Sequence, residues 1–174
     1  MTGLWRRGVV LLLLLGLVAV ARWGMDRQPA FDAVLTPRAT VQLYFSDADA
    51  QYLVPEARTL PAAALNPLRL LEELGRGPQD PGLRPTIPRG ARPRAVVVAD
   101  GIAFVDYSAE LRTRHPGGST GEILTVYSIV ATLTQLPGID AVQLLLEGEA
   151  MDSLVGHLDL SRPLLPDPRF IAAP

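Results

Sequence analysis

Ala95-Val96-Val97-Val98-Ala99, then Asp100-Gly101, then Ile102-Ala103-Phe104-Val105-Asp106-Tyr107 is the stretch from which the fold is read. Two β-rich runs flank an Asp-Gly pair, the strongest short signal for a tight hairpin. The spacing predicts two antiparallel strands, with Val96, Val98, Ile102 and Phe104 as their apolar body.

Working outward toward the N-terminus, Gly75 to Pro93 holds five prolines and four glycines and reads as a long loop. Before it, Asn66-Pro67 opens a helix, since Asn caps well and Pro is tolerated at the first helical position. Leu68, Leu71 and Leu74 form its apolar stripe, and Gly75 stops it. Earlier still, Val41, Leu43 and Phe45 alternate with Gln42 and Tyr44 as a half-buried strand. Ser46-Asp47-Ala48-Asp49 is turn chemistry, and Gln51 to Leu60 returns as a second strand with Tyr52 and Val54 on one face. Pro55 assigns that strand to an edge or bulge.

Toward the C-terminus, Ser119-Thr120-Gly121-Glu122 has the form of a capping box, with Ser119 as N-cap. The helix it opens runs to about Leu136 and buries one broad face, carrying Ile123, Val126, Tyr127, Val130, Leu133 and Thr134. Pro137-Gly138 ends it, and leucine-rich Ala141 to Glu147 fits an inner strand. The proline-studded tail from Gly148 to Pro174 wraps the surface. The order β-β-α-β-β-α-β implies an α+β domain, a mostly antiparallel sheet with two helices packed on one face.

The N-terminus is of another kind. Arg6-Arg7 precede an apolar run to Ala21, with Trp5 before it and Trp23 after it. Positive charge stays in the cytoplasm, so everything downstream is placed outside. The tryptophans stand 18 positions apart, about 27 Å along a helix, close to the roughly 30 Å of a bilayer's hydrocarbon. This favours a retained single-pass anchor in the cytoplasmic membrane. Ala19-Val20-Ala21 also satisfies the cleavage pattern of a signal peptide, so secretion after cleavage is the alternative. The chain divides into an anchor or signal over 1–27, a linker over 28–38, a domain over 39–165 and a tail over 166–174.

Composition narrows the chemistry. There is no cysteine, which excludes a disulfide, a thiol nucleophile and a lipoprotein attachment. All 16 basic residues are arginine, so Schiff-base lysines and a P-loop lysine are absent. A formal net charge of −2 advertises no nucleic-acid surface.

Four stretches, in their order, resemble the GerMN domain of the sporulation and spore germination protein GerM family. Val41-Gln42-Leu43-Tyr44-Phe45 looks like the opening strand, and Asn66 to Leu74 with Gly77-Pro78 like the first helix and its exit turn. Asp100 to Ser108 looks like the central hairpin. Gly118-Ser119 and Gly121-Glu122, Ile129 to Thr134 and Val142 to Gly148 look like the second helix and last strand. The resemblance covers about residues 40 to 160. It implies a fold similar to the ring-building motifs of secretion systems, and a non-enzymatic, membrane-tethered domain with assembly or envelope roles. Members from spore formers commonly carry two such domains and a lipoprotein cysteine; the single-domain form is the closer comparison here.

Candidate chemistry is sparse. His115 and His157 are the only histidines, and both read as exposed residues, not metal ligands. Gly117 to Gly121 matches the Gly-x-Ser-x-Gly nucleophile elbow, with Asp140 or Asp152 and His157 downstream. An elbow needs a strand feeding into it, and Arg112 to Pro116 is not one. Asp106 and Glu110 flank Ser108 but are explained by strand termination. No catalytic residue, metal or cofactor is assigned. The binding candidates are Arg76, Arg84, Arg89 and Arg92 on the long loop, which has few apolar residues to bury, and Gly117, Gly118, Ser119 and Thr120 at a helix N-terminus. The expected partners are the cytoplasmic membrane through the N-terminal segment, an envelope protein or a second copy, and, as the alternative, a glycan or acidic cell-wall polymer; nucleic acid is not among them.

The anchor reading predicts that the chain recovered from membranes keeps Trp5. N-terminal sequencing checks it, and a chain beginning at Arg22 rejects it.

Overall fold

The computed structural model describes residues 37–173. The anchor-or-signal segment and the linker through Thr36 lie outside the described residues. Among the described residues, no helix is long and apolar enough to cross a membrane.

Strands β1 (Arg38–Ser46) and β2 (Leu53–Pro61) form an antiparallel ribbon in which Phe45 stands opposite Val54 and Val41 opposite Arg58. Val41, Leu43 and Phe45 turn inward as their alternation predicts. Tyr52 falls before β2 and is exposed, so it does not join Val54 on a strand face. Leu53 is buried instead, and its carbonyl accepts the N–H of Ala172 from the C-terminal tail at 2.8 Å. Phe170 of that tail lies against Tyr127, with ring centroids 4.4 Å apart.

Helix α1 (Pro67–Gly75) begins as expected, with Asn66 Oδ1 accepting the Arg69 N–H at 2.9 Å. Its inner stripe is Leu70, Leu71 and Leu74, while Leu68 is half-buried. The rotation brings Glu73 inside, within 2.7 Å of Arg69 and 3.6 Å of the buried Arg58.

Strands β3 (Pro93–Ala99) and β4 (Ile102–Tyr107) form the expected hairpin. Asp100 and Gly101 have φ of 50° and 78°, the left-handed pair that a two-residue turn matching strand twist requires. The apolar body differs from the sequence reading. Ala103, Val105 and Tyr107 are the fully buried face of β4; Ile102 and Phe104 are half-buried and Val98 is exposed. Strand faces alternate with every residue, so a one-residue misassignment exchanges inside for outside.

Strand β5 (Ala141–Leu146) lies parallel to β4. A parallel neighbour needs a long crossover. Helices α2 (Glu110–Thr113) and α3 (Ser119–Thr134) supply it. The chain then turns back over Glu147-Gly148 into the short β6 (Glu149–Ala150). The architecture is α+β, with one four-stranded mixed sheet in the order β3-β4-β5-β6 and the β1–β2 ribbon as a second, separate sheet. The reason for the split is visible at Gln135. Its side-chain amide accepts the Gln42 N–H at 2.8 Å and donates to the Gln42 carbonyl, as a neighbouring strand would. Thr132 Oγ1 accepts the Tyr44 N–H at 3.4 Å. A helix thus closes the β1 edge, where an open edge would invite pairing.

The α3 core is also broader than a stripe: Leu124, Val126, Ile129, Val130 and Leu133 are buried, along with Thr125, Ser128 and Thr132, while Ile123 is half-buried. The capping box does not form. Gly118 occupies the N-cap at φ 82°, no side chain caps the helix, and Ser119 is exposed at its first position. Glu122 is taken elsewhere. Fully buried, its carboxylate accepts the N–H groups of Leu154 at 2.8 Å, Val155 at 3.0 Å and His157 at 2.8 Å, and the Ser153 hydroxyl at 2.8 Å. Burial pushes the Glu122 carboxyl up, but these four donors outweigh it and hold it below the ordinary carboxylate value.

Glu122→Gln therefore sets an NH₂ against a ring of donors and leaves buried N–H groups unpaired. The expected cost is about 3 kcal/mol, from one to two lost charge-assisted bonds. Ser119→Ala, with no cap bond to lose, should change stability by less than about 0.5 kcal/mol. Urea unfolding checks both. A substantial loss in Ser119→Ala with none in Glu122→Gln would restore the capping box.

Candidate binding cleft

The long loop does not float. Arg58 donates to the Gly77 carbonyl at 3.2 Å. Glu56 Oε2 accepts the N–H groups of Gln79 and Asp80, each at 2.8 Å. Burial raises the Glu56 carboxyl, and Arg58 with the two backbone donors overrides it, holding the group below its ordinary value. Farther along, Arg84 pairs with Ser46 through two backbone bonds of 2.8 and 3.1 Å. Thr125 Oγ1 then donates to the Thr86 carbonyl at 2.7 Å. Thr86 and Ile87 are buried, so the loop does contribute to the core, contrary to its polar reading.

Pinned at these points, the loop walls a cleft of about 610 Å³ against the end of β1 and the start of α3. Arg76, Arg84, Arg89 and Arg114 line it, and no carboxylate does. Arg76 is paired with Glu73 at 2.5 Å. The other three guanidiniums make no ion pair among the described residues. Arg84 donates to the Pro81 carbonyl at 3.3 Å, and Arg114 to the Arg89 carbonyl at 3.2 Å. Arg114 reaches that carbonyl across Gly90, whose φ of 91° and missing side chain leave the space its guanidinium fills.

The sequence candidates separate accordingly. Arg76, Arg84 and Arg89 come together. Arg92 does not; it lies in another depression with Arg94, Glu110 and Glu147. Thr120 joins Asp49 and Tyr52 in a shallow depression beside the β1–β2 turn. Gly117 and Gly118 shape the turn into α3 with φ of 87° and 82° and line none of these hollows. Arg114 and Thr86 were missed. Arg114 directly precedes His115-Pro116-Gly117-Gly118, a basic residue beside a helix start, and that adjacency was the available signal. Thr86 carried none.

His115, read as an exposed histidine, is half-buried and bonded at both nitrogens. Nδ1 accepts the Gly117 N–H at 3.0 Å. Nε2 lies 3.1 Å from Thr125 Oγ1, whose proton is committed to the Thr86 carbonyl, so Nε2 carries the hydrogen. The ring is thereby specified as neutral, and burial lowers its affinity for a proton below the ordinary value. His157 is exposed, and its backbone, not its ring, serves Glu122. Helix α2 and a turn, not a strand, lead into Ser119, so the nucleophile-elbow geometry is not built. Asp106 and Glu147 hold structure: Asp106 accepts the Gly148 N–H and Glu147 the Ala109 N–H, each at 2.7 Å.

The family model of sporulation and spore germination, Germane, matches residues 42–152. Among solved structures, the tandem GerMN domains of the sporulation protein GerM from Bacillus subtilis are 28% identical, with a TM-score of 0.63 over 73% of this chain and 46% of that one. The chain therefore spans about half the tandem protein. The first GerMN domain alone is 25% identical, TM-score 0.57, over 73% of this chain and 97% of that one. A putative lipoprotein from Clostridium perfringens is 25% identical, TM-score 0.54, over 75% and 87%. No curated protein matches the sequence.

The neutral His115 has a stability consequence with a definite sign. Unfolded, the ring takes a proton near pH 6.5; folded, it does so only at lower pH. Within that window the unfolded chain binds more protons. Stability is full above pH 6.5 and falls as pH drops toward the folded value. Melting temperature should decline from pH 7.5 to 5.5 in the wild type and be flatter in His115→Ala. Equal slopes in the two proteins would remove His115 from this role.

Proposed function

The chain belongs to the Germane family of sporulation and spore germination, and we propose that it serves as a non-catalytic binding and assembly module of the cell envelope. The domain is held outside the cytoplasmic membrane by Met1–Arg27. The Clostridium perfringens relative is named a lipoprotein, which supports an envelope position. In this cysteine-free chain the apolar segment provides the attachment in place of a lipid.

The observation that carries the assembly reading is the state of the sheet edges. β1 is closed by Gln135 and Thr132 of α3. β5 is covered by β6 and by Leu164, which exchanges two backbone bonds with Val142 at 2.8 and 2.9 Å. β3 is the terminal strand of its sheet, and Val97 and Val98 on it are 61% and 44% exposed. Pro93 and Arg94 guard only the start of the strand, and the largely exposed apolar half from Val96 to Ala99 is a template for a further strand. The reading assigns the β3 edge to strand pairing with an envelope protein or a second copy.

Val97→Lys with Val98→Lys places two charges on that edge and, at exposed positions, should cost less than about 1 kcal/mol in stability. Self-association by sedimentation and partner recovery from crosslinked membranes should both fall sharply. Wild-type behaviour in both assays would reject the β3 edge as the assembly surface.

A further inference from the structure

We propose that the arginine-lined cleft is a binding site for the phosphodiester groups of an anionic polymer chain. This inference is independent of the β3 edge.

Three observations converge on it. First, Arg84, Arg89 and Arg114 bring three guanidiniums to one concave surface without a carboxylate partner among the described residues, and no carboxylate lines the cleft. Several arginines elsewhere in the domain are paired: Arg58 and Arg69 with Glu73, Arg94 with Glu147, Arg169 with Asp167. Second, α3, a helix of 16 residues without a side-chain cap, brings Gly121 of its first turn to the cleft, so the positive end of its dipole lies beside these guanidiniums. Third, Thr86 lines the cleft with a hydroxyl that has no partner, in a side chain only 7% exposed. A buried polar atom without a bond is a donor in want of an acceptor.

The chemistry of the ligand follows from these donors. Guanidiniums recognise planar or tetrahedral oxyanions through paired N–H groups. Three cations without an ion-pair partner among the described residues exceed what any single monoanionic group can balance, so the cleft calls for successive anionic groups along one chain. Donors approaching from several walls of a concave surface suit the tetrahedral phosphate better than a planar carboxylate, and a cleft of this volume admits more than one repeat of a flexible chain. A bilayer offers its headgroups on a plane, whereas the Thr86 hydroxyl is buried in a concave wall. The polymer is therefore favoured over the membrane surface.

The test uses the full chain in neutral detergent micelles and a synthetic glycerol-phosphate oligomer of three repeats as probe, with calorimetric titration. Binding is expected, and it should weaken with added salt. Replacing Arg84, Arg89 and Arg114 together by Gln should lower affinity at least tenfold, while Arg162→Gln, an exposed arginine away from the cleft, should leave it unchanged. Thr86→Val keeps the shape and removes an unpartnered hydroxyl, so thermal stability should hold or rise while affinity falls several-fold. Vesicles of phosphatidylglycerol in phosphatidylcholine form the second arm. Absence of oligomer binding, wild-type affinity in the triple arginine variant or in Thr86→Val, or binding confined to vesicles would each overturn the proposal.

Discussion

The buried carboxylate of Glu122 is the interaction on which the rest of the domain depends. A chain with 16 prolines and 15 glycines cannot place all its backbone in ladders and helices. Its irregular segments carry N–H groups that need acceptors wherever they are covered. Glu122 collects four donors from residues 153–157 onto the central helix. Glu56 does the same for residues 79 and 80 on β2. Charge-assisted bonds of this kind are stronger than neutral ones, and both carboxyls stay ionised because their donors outweigh desolvation. The loops are thus held by acids rather than by disulfides, in a protein that has no cysteine.

Both candidate surfaces follow from where α3 is held. Its C-terminal end carries Thr132 and Gln135, which close β1 and separate the ribbon from the main sheet. The main sheet is then bounded by β3 on one side and the two-residue β6 on the other, so β3 is its one long edge. The N-terminal end of α3 is uncapped and meets the loop through the Thr125–Thr86 bond, at a cleft lined by three guanidiniums without an ion pair among the described residues. The edge offers backbone and apolar side chains, the cleft offers positive charge. They suit different partners.

Local chemistry was legible in the sequence wherever neighbours in the chain decide the outcome. The Asn66-Pro67 helix start, the Asp100-Gly101 turn, the alternation of β1 and the stop at Pro137-Gly138 all rest on contacts within a few residues. So did the element order, and with it the α+β class and the resemblance to GerMN domains. Three of the four loop arginines named from sequence line the cleft, because a Pro- and Gly-rich loop between two packed elements had to lie on the surface with its charges outward.

What only the tertiary structure decided is which partner wins when a residue has more than one. Ser119 and Glu122 have the spacing of a capping box, yet Glu122 gains four donors from a segment more than thirty residues away, and the helix start goes uncapped. The same competition turns His115 inward to Thr125, draws Glu73 to Arg58 and gives the β1 edge to Gln135. Arg92 and Arg114 look equivalent in the sequence, but one lies in a depression with Glu110 and Glu147 and the other lines a cleft that no acid lines. Sequence spacing determines what a side chain can reach in its own turn of helix or strand. Only the closed fold determines which distant donors are buried, and a buried donor must be paired whatever the local pattern prefers.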